Sequence, residues 1–169
     1  MSMLSDPDML EVIEDFCAES EKIYSELEEM LENYEESSDG KILEEFGQVI
    51  DRIMGAAKSI DANLTGVYCE LGKTISYKAS QSMDKALLDI VTAVLFDTID
   101  ILKIMNKNII KFKKEEVPGF NLEAFATRLR WLADKFKDIQ RSSVSIAVTD
   151  DKQLKDQKSI DDLLADLGL

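Results

Sequence analysis

Apolar residues recur along most of the chain at the three- and four-residue spacing that lines one face of an α-helix. In the second such stretch, for example, Leu43, Phe46 and Ile50 share one face. Nowhere do apolar and polar residues alternate at the period of two that is typical of a half-buried strand. Helices are predicted in five stretches: residues 6 to about 35, 39 to about 62, 66 to 79, 83 to 112, and 121 to about 140.

Turn-forming residues separate these stretches. Asp6 and Pro7 are typical of an N-cap followed by the first helical residue, "ESSDGK" ends the first stretch, and "VPGFN" precedes the fifth. The fourth stretch is the most apolar, and its predicted buried face includes Ala86, Leu87, Ile90, Val94 and Leu95. The expected fold is therefore all-α: a five-helix bundle over residues 1–141, a flexible linker over 142–157 and a short C-terminal amphipathic helix over 158–169.

The C-terminal segment has an apolar face of its own. Its apolar residues fall at the i, i+3, i+4, i+7 spacing of a helix face, and these are Ile160, Leu163, Leu164 and Leu167. Asp161 and Asp162 fall on other faces of this predicted helix. A helix this short is marginal in water, so it needs a surface to pack against. That surface is either a partner protein or the chain's own bundle.

Composition and charge narrow the classes of function. The 169 residues include 34 acidic and 20 basic ones, a net charge of −14, which repels nucleic acid and anionic membrane surfaces. No apolar run reaches the length of a membrane span and no secretion signal is recognisable, so we expect a cytoplasmic protein. The chain has no histidine and only two cysteines, expected to be reduced core thiols. This composition argues against zinc sites and histidine-activated nucleophiles, and no cofactor of the chain's own is expected.

Candidate chemistry lies on the second helix, on the side away from its apolar face. Glu44, Gln48, Asp51 and Gly55 are predicted to face water there. Glu44 and Gln48 are four residues apart, which stacks a carboxylate and an amide on one side of a helix. An ordinary exposed polar surface is the alternative interpretation.

The five helical stretches resemble the histidine phosphotransfer domain of chemotaxis kinases. The exposed face of the second helix in that family follows an R-x-x-H-x-x-K pattern, and here Arg52, Gly55 and Lys58 occupy its three positions. Gly55 stands where the phosphorylated histidine should be, and no other histidine exists. The resemblance therefore implies the fold of such a domain without a phosphorelay role.

Two further segments resemble the CheZ family of chemotaxis phosphatases. "GQVIDRIM" looks like the CheZ active-site segment, with Gln48 at the glutamine and Glu44 in place of the aspartate four residues earlier. "SIDDLLADLGL" resembles the CheZ C-terminal helix, which docks on the response regulator CheY, and it is also similar to an "IDxLL" segment of the flagellar switch protein. The implied partner is a CheY-like receiver that supplies its own Mg²⁺.

Two functions follow from these resemblances. The first is a phosphatase in which Gln48 orients the water that attacks the receiver's aspartyl phosphate, while Glu44, or less strongly Glu45, pairs with a receiver lysine. Lys58 and the C-terminal helix would contact the receiver as well. The alternative is a non-catalytic module that binds, sequesters or localises the receiver. A homodimer is compatible with either function.

Overall fold

The computed structural model describes residues 1–121, 123–125, 127–129, 131, 132 and 134–136. All regular secondary structure among these residues is helical, which confirms the predicted all-α class. Two short 3₁₀ turns, Met3–Ser5 and Pro7–Met9, lead into the first long helix. The long helices are α1 (Leu10–Ser37), α2 (Gly40–Ser59), α3 (Asn63–Ser80) and α4 (Lys85–Phe112).

Side chains close to the helix ends set where α2 and α4 begin. The Asp39 carboxylate accepts the N–H of Lys41, and the Asp84 carboxylate accepts the N–H of Leu87 at 3.1 Å. These bonds satisfy N–H groups that the first turn of a helix leaves without an intrahelical partner. Helix α1 ends where Ser38 adopts a left-handed φ of 55° and donates its N–H back to an α1 carbonyl.

The start of α3 is capped from a distant part of the chain. Ala62, the residue before α3, offers no side-chain acceptor. Instead the carboxylate of Glu115, in the segment after α4, accepts the N–H of Leu64 at 3.1 Å. It also accepts the N–H and the hydroxyl of Thr65, each at 2.6 Å. This carboxylate therefore ties the segment after α4 to the beginning of α3.

The four long helices form a closed ring around one core, because α2 and α4 each contact both α1 and α3. Helices α2 and α3 run antiparallel. Gly40 at the start of α2 lies against Ser80 at the end of α3, and Lys58 near the end of α2 pairs with Glu70. The short connections between successive helices agree with this arrangement, since short loops join antiparallel neighbours.

The core follows the predicted apolar faces in most places. Leu43 and Phe46 are fully buried, as the helical spacing predicted, and so is Leu95. The prediction was wrong for two α4 residues, because Ala86 is exposed and Ile90 is 37% exposed. Helix α4 carries apolar residues on two flanks, and its neighbours in the ring cover only one of them near its start.

The chain divides into two compact units, Met1–Gly119 and Phe120–Leu169. Helices α1 to α4 belong to the first unit. In the second, the described residues between 123 and 136 are helical. Their buried side chains recur at helical spacing, namely Phe125, Leu129, Leu132 and Phe136. The predicted linker over 142–157 and C-terminal helix over 158–169 lie outside the described residues.

Candidate functional site

Helix α2 has a buried face and an exposed flank with different chemistry. Phe46 and Ile50 are buried in the core. Glu44 and Gln48 are exposed, as the sequence pattern predicted. Residues four apart on a helix lie one above the other, so the helix places the carboxylate of Glu44 one turn before the amide of Gln48.

Neither of these two side chains is held by another part of the described chain. Glu44 forms no ion pair, and the Gln48 amide forms no hydrogen bond, with any residue that the structure describes. A glutamine amide can donate through its NH₂ group and accept through its carbonyl oxygen. Both functions of Gln48 are therefore available to a ligand or partner.

Helix α3 supports α2 directly beside Gln48. The neighbouring residue, Gly47, has no side chain, and a Cβ built there would lie 2.9 Å from the Ser76 hydroxyl and 3.3 Å from the Tyr77 ring. One turn after Gly47, the Asp51 carboxylate pairs with Lys73 of α3 at 2.9 Å. Contacts on both sides of Gln48 thus fix the backbone that carries it, which favours accurate positioning of its side chain.

Lys58 lies on the same helix but away from the Glu44 and Gln48 pair. Ten residues after Gln48, it is about 15 Å further along the helix axis at the usual rise per residue. Its ammonium pairs with Glu70 at 3.2 Å, and its aliphatic stem packs against Gly66. The Lys58 side chain is still 49% exposed. The structure therefore does not bring Lys58 next to Gln48.

The pattern compared with phosphotransfer domains lies on this same surface. Arg52 and Gly55 are both exposed. No atom of the described residues lies within 4 Å of the place where a Cβ of Gly55 would be. The position that the sequence comparison places at the phosphorylated histidine is therefore exposed helix backbone within the described part of the chain.

The described residues contain no group of three or more Cys, Asp or Glu side chains placed to hold a metal ion. Nor does any helix in this part of the chain have the length and apolar character needed to cross a membrane. The exposed flank of α2 offers a neutral donor and acceptor, the amide of Gln48, beside the carboxylate of Glu44. Such a pair can hold a water molecule and a cation that a partner supplies.

A second surface feature lies between the end of α1 and the start of α4. It is an open groove of about 560 Å³ whose lining includes Tyr34, Glu35, Lys85 and Asp89. Burial raises the pKa of the Tyr34 phenol above its usual value, and the nearby Asp89 raises it further. The predicted site residues on α2 do not line this groove.

Comparison of the chain with protein-family models, with curated proteins and with solved structures gave no match. The predicted partner-binding residues of the C-terminal segment lie outside the described residues, and these are Ile160, Asp161, Asp162, Leu163, Leu164 and Leu167. Within the described residues, the candidate site is therefore the exposed flank of α2 and its support by α3.

Proposed function

We propose that this chain is a chemotaxis-type phosphatase that accelerates hydrolysis of the aspartyl phosphate of a CheY-like receiver. One observation carries the proposal: on a helix fixed by its neighbours, Gln48 is exposed and has no hydrogen-bond partner among the described residues. A catalytic amide of this kind must be free to reach into a partner's active site. An amide bonded within the bundle would not be available for this role.

The proposed mechanism is positioning of water. Hydrolysis of an acyl phosphate proceeds by in-line attack of water on phosphorus, and positioning and charge stabilisation supply most of the catalysis in phosphoryl transfer. The receiver would provide Mg²⁺ and its own carboxylates. Gln48 would accept a hydrogen bond from the attacking water through Oε1 and donate one through Nε2. Because an amide does not titrate near neutral pH, this contribution would not require a histidine.

Glu44 would act beside Gln48 by pairing with a lysine of the receiver near the phosphorylated aspartate. This role rests on the exposed carboxylate one turn before Gln48, which has no ion-pair partner among the described residues. The segment 158–169 would dock elsewhere on the receiver and hold it near α2 through the preceding linker. Tethering of this kind raises the effective concentration of the partner without adding contacts at the catalytic site.

The test is the decay of phosphorylated CheY, followed by stopped flow with the 169-residue chain in excess over CheY. Wild type should accelerate decay. Gln48→Ala should leave binding nearly intact and lower the saturated rate on the order of a hundredfold, comparable to the loss of one transition-state hydrogen-bonding group. Gln48→Asn should fail as well, because its amide is one methylene shorter.

Gln81→Ala is the matched control, since Gln81 is an exposed glutamine at the end of α3. It should keep the wild-type rate. A Gln48→Ala variant with the wild-type saturated rate would show that the catalytic group lies elsewhere. Wild-type protein that binds the receiver without accelerating decay would instead favour a non-catalytic receiver-binding module.

A further inference from the structure

Helix α4 has an outward flank that the packing of α1 and α3 leaves exposed. Asp100, Ile104 and Lys107 follow one another on this flank at spacings of four and three residues, and all three are exposed. Ile104 lies between the two charged residues and is 42% exposed. A single exposed isoleucine is ordinary on a protein surface. What distinguishes this flank is the order of the charges around it.

The acid precedes the isoleucine and the base follows it. Neither Asp100 nor Lys107 forms an ion pair within the part of the chain that the structure describes. Seven residues separate them, about 10 Å along the axis, whereas charges pair on one helix when they are three or four residues apart. Both charges are therefore available to a second molecule.

A second copy of the same helix, running antiparallel, complements this order. A two-fold axis beside Ile104 brings the two Ile104 side chains together. Along the helix, Asp100 is about 6 Å to one side of that axis and Lys107 about 4.5 Å to the other, so each Asp100 comes opposite Lys107 of the other copy. Around the helix, the two residues lie about 40° and 60° from Ile104 in the same direction, so they meet at the same edge of the contact. A parallel pairing would set like charges side by side.

We propose that two copies of this chain associate through the outward flank of α4 as an antiparallel, two-fold symmetric pair. Ile104 lies at the centre, and two ion pairs between Asp100 and Lys107 cross the contact. An interface of this kind uses the same patch on both copies, so the patch must be complementary to itself, as the order of charges here is. The inference does not depend on the proposed phosphatase function. Helix α2 lies across the ring from α4, so the pair leaves Gln48 of both copies accessible.

The association should be weak. One helix from each copy buries less than the roughly 800 Å² per partner that is usual in stable complexes, so we expect a dissociation constant on the order of 10 to 100 μM. The net charge of −14 on each copy opposes association through long-range repulsion. Measurements therefore belong at about 0.15 M salt, where charges more than about 8 Å apart are largely screened and close pairs are screened less.

The experiment measures the molar mass of the 169-residue chain by sedimentation equilibrium, from about 10 μM to about 1 mM. Wild type should change from monomer to dimer across this range. Asp100→Lys or Lys107→Glu alone puts like charges opposite each other twice, and each should weaken dimerisation by at least about tenfold. An equimolar mixture of the two single variants should dimerise about as well as wild type, because both cross pairs then join opposite charges again.

Two further variants test the apolar centre. Ile104→Ser should weaken dimerisation by about tenfold, since it removes the apolar contact on the two-fold axis. Ile110→Ser is the matched control, because Ile110 is 49% exposed on the same helix but lies about 120° around it from Ile104. It should dimerise as wild type does. Melting temperatures within about 3 °C of wild type would show that the bundle of each variant is intact.

Three outcomes would overturn the inference. Wild type that stays monomeric up to the highest concentration would remove the dimer itself. Dimers that persist in both single charge variants would place the interface on another surface. A mixture of the two variants that stays monomeric, like each variant alone, would show that the charges do not pair across a two-fold axis. The decay of phosphorylated CheY tests the proposed function separately, so neither failure implies the other.

Discussion

Two acidic side chains of this molecule, Glu115 and Glu44, differ in their burial and in their contacts with the rest of the described chain. Glu115 is only 8% exposed and accepts three hydrogen bonds at the start of α3. Glu44 is exposed and has no ion-pair partner among the described residues. One carboxylate is used by the fold, and the other is left available on a rigid helix.

The difference shows how polar groups that the fold uses can be separated from polar groups that are available to a second molecule. A buried charge is tolerated only where donors surround it, so the contacts of Glu115 explain its presence completely. Gln48 and Glu44 have no such contacts within the described residues, and α3 nevertheless holds their helix firmly in place. Firm support of the backbone combined with unpartnered polar side chains is what a site that acts on a second molecule requires.

The largest effect on stability is expected from changing Glu115, and it tests whether this carboxylate serves the fold. Glu115→Gln should lower the free energy of unfolding by about 2 to 4 kcal/mol, because the variant amide turns an NH₂ group toward N–H donors and loses the charge that strengthens the remaining bonds. Urea unfolding followed by circular dichroism measures this loss. Glu116→Gln is the control, since Glu116 is the exposed neighbour. Equal stability of the two variants would mean that the carboxylate of Glu115 does not cap α3.

Much of the fold could be predicted from the sequence because helix periodicity is local. The spacing of Leu43, Phe46 and Ile50 was enough to orient α2, and orienting α2 placed Gln48 and Glu44 in water. The same rule failed at Ile90. Periodicity shows which residues share a flank of a helix, but it does not show how much of that flank the neighbouring helices cover.

The contacts around the candidate site could not be predicted, because they depend on the register between helices. The Asp51 and Lys73 pair joins residues 22 positions apart, and the cap at Thr65 comes from Glu115, 50 positions away. No spacing rule within one helix identifies such partners. Gly47 was the one available signal, since a glycine on the side of a helix that faces a neighbour indicates close approach.

A smaller effect on stability is expected from the thiol of Cys17, which is buried and has no strong partner for its charged form. Burial raises the pKa of the Cys17 thiol from about 9 to about 11. The charge of Lys113 lowers this pKa, and the charge of Glu21 raises it. Its hydrogen-bond acceptor, the carbonyl of Asn106, is 3.9 Å from the sulfur. Between pH 9 and 11 the unfolded chain therefore binds fewer protons than the folded chain, and stability should fall as the pH rises.

Cys17→Ser isolates this contribution, because serine does not titrate in the same range and keeps a donor for Asn106. The variant should lose stability less steeply from pH 9 to 11, by up to about 1.4 kcal/mol per pH unit. Urea midpoints measured at pH 8, 9, 10 and 11 give both slopes. Parallel pH profiles for wild type and variant would show that the thiol titrates alike in the folded and unfolded chains.

The smallest expected effect on stability belongs to Glu44, and it tests the functional side of the comparison. Glu44→Gln should change the free energy of unfolding by less than about 0.5 kcal/mol, since an exposed carboxylate without an ion pair contributes little to the fold. If Glu44 pairs with a receiver lysine, the same change should weaken receiver binding by about tenfold at low salt, and the loss should shrink as salt screens the pair.

Glu45→Gln is the matched variant that decides between the two neighbouring carboxylates. Glu45 is exposed as well, and it lies about 60° around α2 from Gln48, on the opposite side from Glu44, which lies about 40° away. Binding of the receiver by each variant, titrated at low and at high salt, separates the two assignments. A salt-dependent loss in Glu45→Gln alone would transfer the pairing role to Glu45. No loss in either variant would mean that the free carboxylates on this flank of α2 only keep it hydrated, and that Gln48 would have to act without a neighbouring charge.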